Sequence, residues 1–332
     1  MSGSADLRVA RGPGSAHGIA RRLVLIGAAS LLGTALPARA TAVAASDPAA
    51  AAMPKLQVVA SFSILADIAG QLAAGLASVQ TLAGPNADAH SYQPSPSDVQ
   101  RLVRADLILI NGLGFEPWLD RVRAGTPMRG SVVVASRGVD ERRIGPVSDP
   151  HAWLSPLQGR HYVDNIEAAL VQALGATTPA AASVRLRAAE LRERLNRLDR
   201  DIRRALEPVP PEVRRVITTH GSFGYFGRDY GLVITPLVAG AGETEASAGQ
   251  MARVIRQIRA QRAVALFSEN TVDSRLLQRV ADEAGVSIGG TLYGDALSAP
   301  DGPAPGYLQL VAHNARILTD ALRRIPPKEI TR

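Results

Sequence analysis

Short apolar runs alternate with amphipathic stretches from residue 56 onward. Four runs in the first half have the length and composition of buried strands: 56–60, 79–82, 107–110 and 132–135. Residues 64–76, residues 98–103 and a short stretch near Trp118 have helical periodicity. Strands that alternate with helices predict a mostly parallel sheet flanked by helices. We therefore expect an α/β lobe over residues 55–177.

One long amphipathic stretch interrupts this alternation. Thr178 and Pro179 are typical of an N-cap followed by a first-turn proline, and aliphatic residues then recur at helical spacing until Pro208. A helix of roughly 28 residues is about 40 Å long at 1.5 Å per residue. We expect a rigid helix over residues 178–208 that joins two lobes.

The alternation then restarts. Further strands are predicted at 213–218, 233–236, 263–267 and 286–288, with a last helix at 307–322. This pattern predicts a second α/β lobe over residues 212–332, again a mostly parallel sheet flanked by helices. Because open parallel sheets bind ligands at the carboxyl ends of their strands, we expect a site in the cleft between the lobes.

Composition narrows the class of protein. The chain has 332 residues, of which 46% are hydrophobic and 20% charged, as in soluble globular proteins. Its net charge is +7, but residues 1–45 contribute five arginines against one aspartate, +4 in all, which leaves +3 for the remainder. So small a surplus gives little support to nucleic-acid binding, and we expect no nucleic-acid partner.

The first 45 residues predict a signal peptide with a low-complexity leader. Arg21 and Arg22 precede the apolar run 23–36, and residues 38–40 have the small-x-small form of a cleavage site. The run is short for a spanning helix, so an uncleaved anchor is the weaker alternative. Both general secretion and twin-arginine export stay open. The chain has no cysteine, so we expect no lipid anchor. We expect the exported protein to be a free periplasmic monomer.

Four residues follow the end of a predicted strand and have side chains of the types that bind metals: His90, His151, His220 and Asp295. Three imidazoles and one carboxylate complete a tetrahedral shell around zinc. A full protein shell suits capture better than hydrolysis, because a hydrolytic zinc keeps one position for water. Taken singly, each histidine could instead be a solvated loop residue or a packed core residue. Asp295 could instead be a turn residue.

Local patterns suggest how two of these residues are held. After His90, Ser95 can cap a helix that has Pro96 in its first turn and Asp98 at the capping-box position. Near His151, Asp149 can bond the far ring nitrogen.

Further residues were considered for the candidate site. Trp153 can shield His151 from water, and Ser155 with Pro156 again predicts a helix start. Glu269 ends a predicted strand; it can orient a ligand from behind, although an ion pair with an arginine is the preferred interpretation. His161 and His313 fall within predicted helices and are assigned to packing or the surface.

Six stretches carry a resemblance to a known family: 59–67, 89–98, 111–119, 149–156, 219–226 and 292–298. Through them the chain closely resembles the zinc and manganese solute-binding proteins of bacterial ABC importers, solute-binding protein family 9 (cluster A-I). The resemblance implies that His90 and His151 come from the first lobe and His220 and Asp295 from the second. It also implies that the long helix limits opening, and that the partners are an inner-membrane permease and a separate ATPase.

The resemblance also bears on the cargo. The third family position is His or Glu, and His220 favours Zn²⁺ over Mn²⁺ on ligand softness. Manganese or iron remains the alternative. Residues 142–147 lack the His- and Asp-rich loop found in many zinc carriers, which argues against high-capacity scavenging. Two further alternatives are a zinc hydrolase with Asp295 as general base and a surface adhesin of the same fold; we expect a binding protein and no enzyme.

Overall fold

The structure is a computed structural model that describes residues 55–238, 248–261 and 265–324. The predicted signal peptide and leader, residues 1–45, lie outside the described residues. Among the helices that are described, none combines the length and the apolarity needed to cross a membrane.

Four parallel strands in the order β2-β1-β3-β4 form the N-terminal sheet: β1 Leu56–Phe62, β2 Ala77–Ala83, β3 Leu107–Ile110 and β4 Ser131–Val134. Four helices accompany them: α1 Ser63–Ala73, α2 Pro96–Arg104, α3 Pro117–Gly125 and α4 Pro156–Leu174. Alternate β1 residues face opposite sides, so Val58 packs with α1 and α4 while Val59 packs with α2 and α3. These elements are the N-terminal lobe.

A short antiparallel hairpin, β5 Arg143–Ile144 with β6 Val147–Ser148, precedes His151. Its two-residue strands are too short to leave an apolar pattern, which is why the sequence did not predict it. The hairpin brings the backbone carbonyl of Arg142 to the N–H of Asp149, at 2.8 Å. A 3₁₀ turn, Ala152–Leu154, then leads into α4.

The long helix α5 runs over Pro179–Leu206, 28 residues, as the sequence predicted. The hydroxyl of Thr178 caps it by accepting a hydrogen bond from the N–H of Ala181 at 3.1 Å. One face is buried against α4, α1 and the last helix of the chain. The helix therefore contacts elements from both halves of the sequence.

The second sheet is also parallel, in the order β10-β9-β7-β8: β7 Arg215–His220, β8 Val233–Val238, β9 Ala265–Glu269 and β10 Ile288–Leu292. With α6 Gly224–Tyr230, α7 Ala248–Gln261 and α8 Arg275–Ala284 it forms the C-terminal lobe. The last helix, α9 Tyr307–Arg323, packs on α1, α5, β9 and β10. The α/β fold with two parallel sheets confirms the predicted fold class.

Two predicted strands begin two residues later than expected. The first, predicted at 213–218, is β7, which begins at Arg215 after a 3₁₀ turn over Pro211–Val213. Residues 286–288 were predicted as a strand, but β10 begins at Ile288. Val286 instead belongs to the turn that ends α8, where its N–H donates to the carbonyl of Ala281 behind the left-handed Gly285 (φ 72°).

Candidate metal centre

The four predicted ligands meet at the carboxyl ends of the strands. His220 is the last residue of β7, and Asp295 lies in the loop after β10. His90 lies in the loop after β2, and His151 immediately precedes the 3₁₀ turn. One potential ligand atom from each of the four lies within 4.8 Å of the others. The sequence thus predicted a set of residues that the fold brings together from both lobes.

The distances between ligand atoms match those of a small coordination shell. The Nε2 atoms of His90 and His151 are 3.1 Å apart, and Nε2 of His220 is 3.1 Å from Asp295 Oδ2. Asp295 Oδ1 lies 3.5 Å from His151 Nε2, and Oδ2 lies 3.6 Å from His90 Nε2. Ligands about 2.0–2.1 Å from a tetrahedral zinc are about 3.3 Å from one another. The geometry therefore leaves room for one divalent ion at the centre.

Burial of the four side chains is uneven. His151 and Asp295 are 3% and 2% exposed, whereas His90 and His220 are 17% and 13% exposed. His220 Nε2 and Asp295 Oδ1 are buried without a hydrogen-bond partner in the described structure. Buried polar atoms without partners are costly, and an ion between them would satisfy both. Access from solvent is on the side of His90 and His220.

Asp149 orients His151 from behind. Its Oδ1 lies 2.7 Å from His151 Nδ1, and its Oδ2 accepts a hydrogen bond from Arg142 Nη1 at 2.6 Å. A carboxylate on Nδ1 keeps the proton there and leaves the Nε2 lone pair for a metal. Burial raises the pKa of Asp149, but the hydrogen bonds from His151 and the charges of His151 and Arg142 together outweigh it and lower that pKa. The carboxylate thus stays ionised, as this role requires.

Glu269 lies behind His220, close to its ring and bonded to its backbone, so the preferred interpretation of an ion pair with an arginine is wrong. Glu269 Oε2 lies 2.8 Å from His220 Nδ1 and accepts from the hydroxyl of Ser222 at 2.5 Å. Its Oε1 accepts from the backbone N–H of His220 at 2.9 Å. The cause is register: β9 pairs with β7, so the last residues of the two strands are neighbours. No arginine within the described ranges forms an ion pair with Glu269.

The loop that carries His90 is held by its own side chains. Ser95 and Asp98 form the predicted capping box at the start of α2, with Pro96 in the first turn. Asp88, which the sequence analysis missed, accepts a hydrogen bond from the N–H of His90 at 2.8 Å. An aspartate two residues before the residue whose N–H it accepts is an Asx-turn pattern, and that signal could have found it.

Of the remaining predictions near the site, some agree with the structure and one does not. Trp153 is fully buried with its ring centroid 5.4 Å from that of His151, so it shields this ligand. Ser155 precedes α4, but its hydroxyl donates to Asp229 Oδ2 at 2.6 Å and does not cap the helix. His161 and His313 lie in α4 and α9, away from the four-residue cluster, as expected.

The charges of the site shift its pKa values in opposite directions. Burial alone would lower the pKa of His220, but the carboxylates of Glu269 and Asp295 outweigh it and raise that pKa well above 6.5. Burial lowers the pKa of His90. Burial opposes ionisation of Asp295, yet the three imidazoles lower its pKa. Asp295 and His220 thus each favour the charged form of the other.

Comparison with known proteins bears on what this arrangement is. Residues 58–321 match the family model described as zinc-uptake complex component A, periplasmic. The chain belongs to this family. It is 35% identical over 262 residues to the iron-binding protein YfeA of Yersinia pestis, an alignment that covers 77% of this chain and 83% of that protein.

Two further relatives extend the picture. The chain is 30% identical over 270 residues to the manganese-binding lipoprotein MntA of Halalkalibacterium halodurans, covering 80% and 88% of the two proteins. The solved structure of the periplasmic zinc-binding protein TroA of Treponema pallidum matches with a TM-score of 0.76 and 28% identity, over 81% of this chain and 99% of that one. Family membership confirms the resemblance to solute-binding proteins of importers and removes the hydrolase alternative, because the family binds and delivers its substrate.

Proposed function

We propose that this protein captures a divalent transition metal, zinc, in the periplasm and delivers it to an ABC permease of the inner membrane that a separate ATPase drives. The observation that supports this best is that one ligand atom from each of the four residues lies within 4.8 Å of the others, with four of the separations between 3.1 and 3.6 Å. His90, His151, His220 and Asp295 are the proposed ligands, with Asp149 and Glu269 behind two of them.

The donor set supports zinc. Imidazole nitrogen suits zinc, whereas manganese prefers carboxylates and higher coordination numbers. Relatives named for iron, manganese and zinc make manganese or iron the second candidate. One feature favours that candidate: both oxygens of Asp295 face the histidines, so a fifth bond from the same carboxylate is accessible. A role as a surface adhesin would use the same metal site and has no separate support here.

We further propose that the mature protein is a free monomer with lobes at residues 55–177 and 212–332 around a linking helix at 178–208. Several relatives, MntA among them, are named lipoproteins. This chain has no cysteine to carry a lipid. Residues 1–45 would serve as a cleavable signal peptide and leader.

The test is metal content followed by competition. We expect protein purified without added metal, then stripped, to bind one zinc in calorimetry and to prefer it to manganese. His151→Ala should weaken zinc binding by orders of magnitude and leave the circular dichroism spectrum unchanged, because the ligands lie on a preformed fold. His161→Ala, which removes a histidine outside the cluster, is the control. Unchanged zinc affinity in His151→Ala would refute the ligand assignment.

A further inference from the structure

The loop between β10 and α9, residues 294–306, carries Asp295; we call it the Asp295 loop. It leaves the C-terminal sheet, but its backbone is bonded to the other lobe. Three hydrogen bonds make this connection: Trp153 Nε1 to Gly294 O (2.9 Å), Leu297 N to Ser63 Oγ (3.0 Å) and Asn86 N to Leu297 O (2.9 Å). These bonds lie on both sides of Asp295.

The first residue of α9, directly after the loop, is bonded to the N-terminal lobe as well. The N–H of Tyr307 donates to Asp67 Oδ2 in α1 at 2.8 Å. The Tyr307 hydroxyl donates to the carbonyl of Trp153 at 2.7 Å. Trp153 and Tyr307 are both fully buried. Trp153 lies two residues after the ligand His151. It bonds to Gly294 at the start of the Asp295 loop and to Tyr307 directly after its end.

Attachment to the C-terminal lobe is weaker from Gly294 onward. Tyr293, just before the loop, is held on both backbone groups by Asn314 of α9, at 2.9 and 2.7 Å. Within the loop, Asn270 donates to the carbonyl of Ala296 at 3.4 Å, a long hydrogen bond. The change of attachment thus falls between Tyr293 and Gly294. Asp295 lies on the far side of that change, with the N-terminal lobe.

We propose that Trp153 and Ser63 are positioning residues that fasten Asp295 to the N-terminal lobe, so that Asp295, His90 and His151 form one half-site that stays together when the lobes part. His220 is then the ligand that the C-terminal lobe adds on closing. Its supports, Glu269 and Ser222, belong to that lobe. This inference rests on the proposed metal-binding function.

Two of the three half-site residues are deeply buried, and the third, His90, borders the solvent as His220 does. His151 and Asp295 are the two buried ligands; the Trp153 ring lies 5.4 Å from that of His151, and its Nε1 donates to the carbonyl of Gly294, next to Asp295. An ion that arrives from solvent would first meet three ligands that are already in place. The fourth bond, to His220, would then form when the lobes close, after the ion has already bound to the other three ligands.

A double-mutant cycle tests the positioning role of Trp153. Trp153→Phe keeps an aromatic ring and removes the donor to Gly294, and we expect zinc affinity to fall roughly tenfold, the effect of one lost buried hydrogen bond. In an Asp295→Ala background the same change should have no further effect, because the residue acts through Asp295. In a His220→Ala background the tenfold loss should persist. Ser63→Ala, a smaller change, should repeat this pattern.

A general loss of stability would give a different result. It would lower zinc affinity equally in all three backgrounds, and that outcome would overturn the inference. Thr319→Val is the matched control, because it removes a buried hydroxyl that donates within α9 to Ala315 O. We expect this variant to lose stability and to keep its zinc affinity.

A distance measurement tests the half-site directly and requires no buried change. The chain has no cysteine, so paired cysteines at exposed positions carry spin labels without background. We expect the distance from Gln100 in α2 to Asp301 in the Asp295 loop to be the same with zinc and after its removal. The distance from Gln100 to Arg279 in α8 should change. If both distances change together, or neither does, the inference is wrong.

Failure of the proposed function would look different. Unlabelled wild-type protein that binds no metal in calorimetry would overturn the function and this inference with it. Wild-type protein that binds zinc while Trp153→Phe fails the cycle would overturn the inference alone.

Discussion

Glu269 lies directly behind His220, with its Oε2 2.8 Å from the ring Nδ1. The carboxylate raises the electron density of the imidazole and fixes its orientation. Loss of such an outer partner typically reduces metal affinity about 10–100-fold. We predict a loss in this range for Glu269→Ala and a smaller one for Glu269→Gln, whose carbonyl still accepts from Nδ1.

Calorimetric titration with zinc checks this order. Both variants should keep the wild-type circular dichroism spectrum. Glu212→Gln, at an exposed glutamate in the turn before β7, is the control and should bind as the wild type does. Equal affinities for Glu269→Ala and wild type would mean that His220 is held by the backbone alone.

We predict that zinc binding weakens as pH falls and that the decline begins above pH 6.5. The sign follows from His220, whose pKa is raised above its usual value by Glu269 and Asp295. Metal binds the neutral ring, so a proton must leave in this range and affinity drops about tenfold per pH unit below the raised pKa. His90, with a lowered pKa, competes only at more acidic pH.

Titrations at several pH values between about 5 and 8.5 measure the onset, with ionic strength held constant. In Glu269→Gln the pKa of His220 should fall, and the onset should move to lower pH. An affinity that does not vary over this range would mean that carboxylates dominate the site.

Much of this site followed from the sequence because its residues carry local signals. His220 ends a strand just before a glycine, and the capping box after His90 could be predicted from Ser95 and Asp98. The contact of Glu269 with His220 could not, because it depends on which strands are neighbours in the sheet. Likewise, no local pattern shows that Trp153 bonds to Gly294, 141 residues away.

Fold boundaries show the same division. The long helix was predicted at both ends, since Thr178 with Pro179 starts it and Pro208 follows its end. The strand near Val286 was misplaced, because an apolar residue after a helix-ending glycine can close a turn as well as start a strand.

We predict that His220→Glu shifts the ratio of zinc to manganese affinity toward manganese. A carboxylate is a harder ligand and can bind through both oxygens, which suits manganese better than zinc. Absolute zinc affinity can still exceed that of manganese, since divalent affinities rise in that direction. Competition between the two ions in wild type and variant measures the ratio. His220→Gln is neutral and of similar size to His220→Glu, so comparing the two separates the effect of charge from that of shape. Identical ratios in all three proteins would mean that residue 220 does not determine metal selectivity.

We predict that Asp98→Ala destabilises the protein by about 1–2 kcal/mol, the usual effect of losing a helix cap. Its Oδ2 accepts from the Ser95 N–H and the Tyr92 hydroxyl, both at 2.7 Å. The same change should free the loop that carries His90 and lower zinc affinity. Urea unfolding and calorimetry measure the two effects, and Gln100→Ala, at an exposed position of α2, should change neither. Full stability in Asp98→Ala would show that the Ser95 hydroxyl and Pro96 suffice to start the helix.

The uneven burial of the four ligands has a kinetic consequence. Phe115 and Trp153, both fully buried, close the inner side of the site, and only His90 and His220 border the solvent. We therefore expect a bulky chelator added from outside to form no mixed complex with the bound ion. Stripping would proceed at a rate set by the protein, the same at low and high chelator concentration. Such a carrier retains its cargo among competing small ligands through slow exchange, without extreme affinity, and the membrane partner need only accelerate one step.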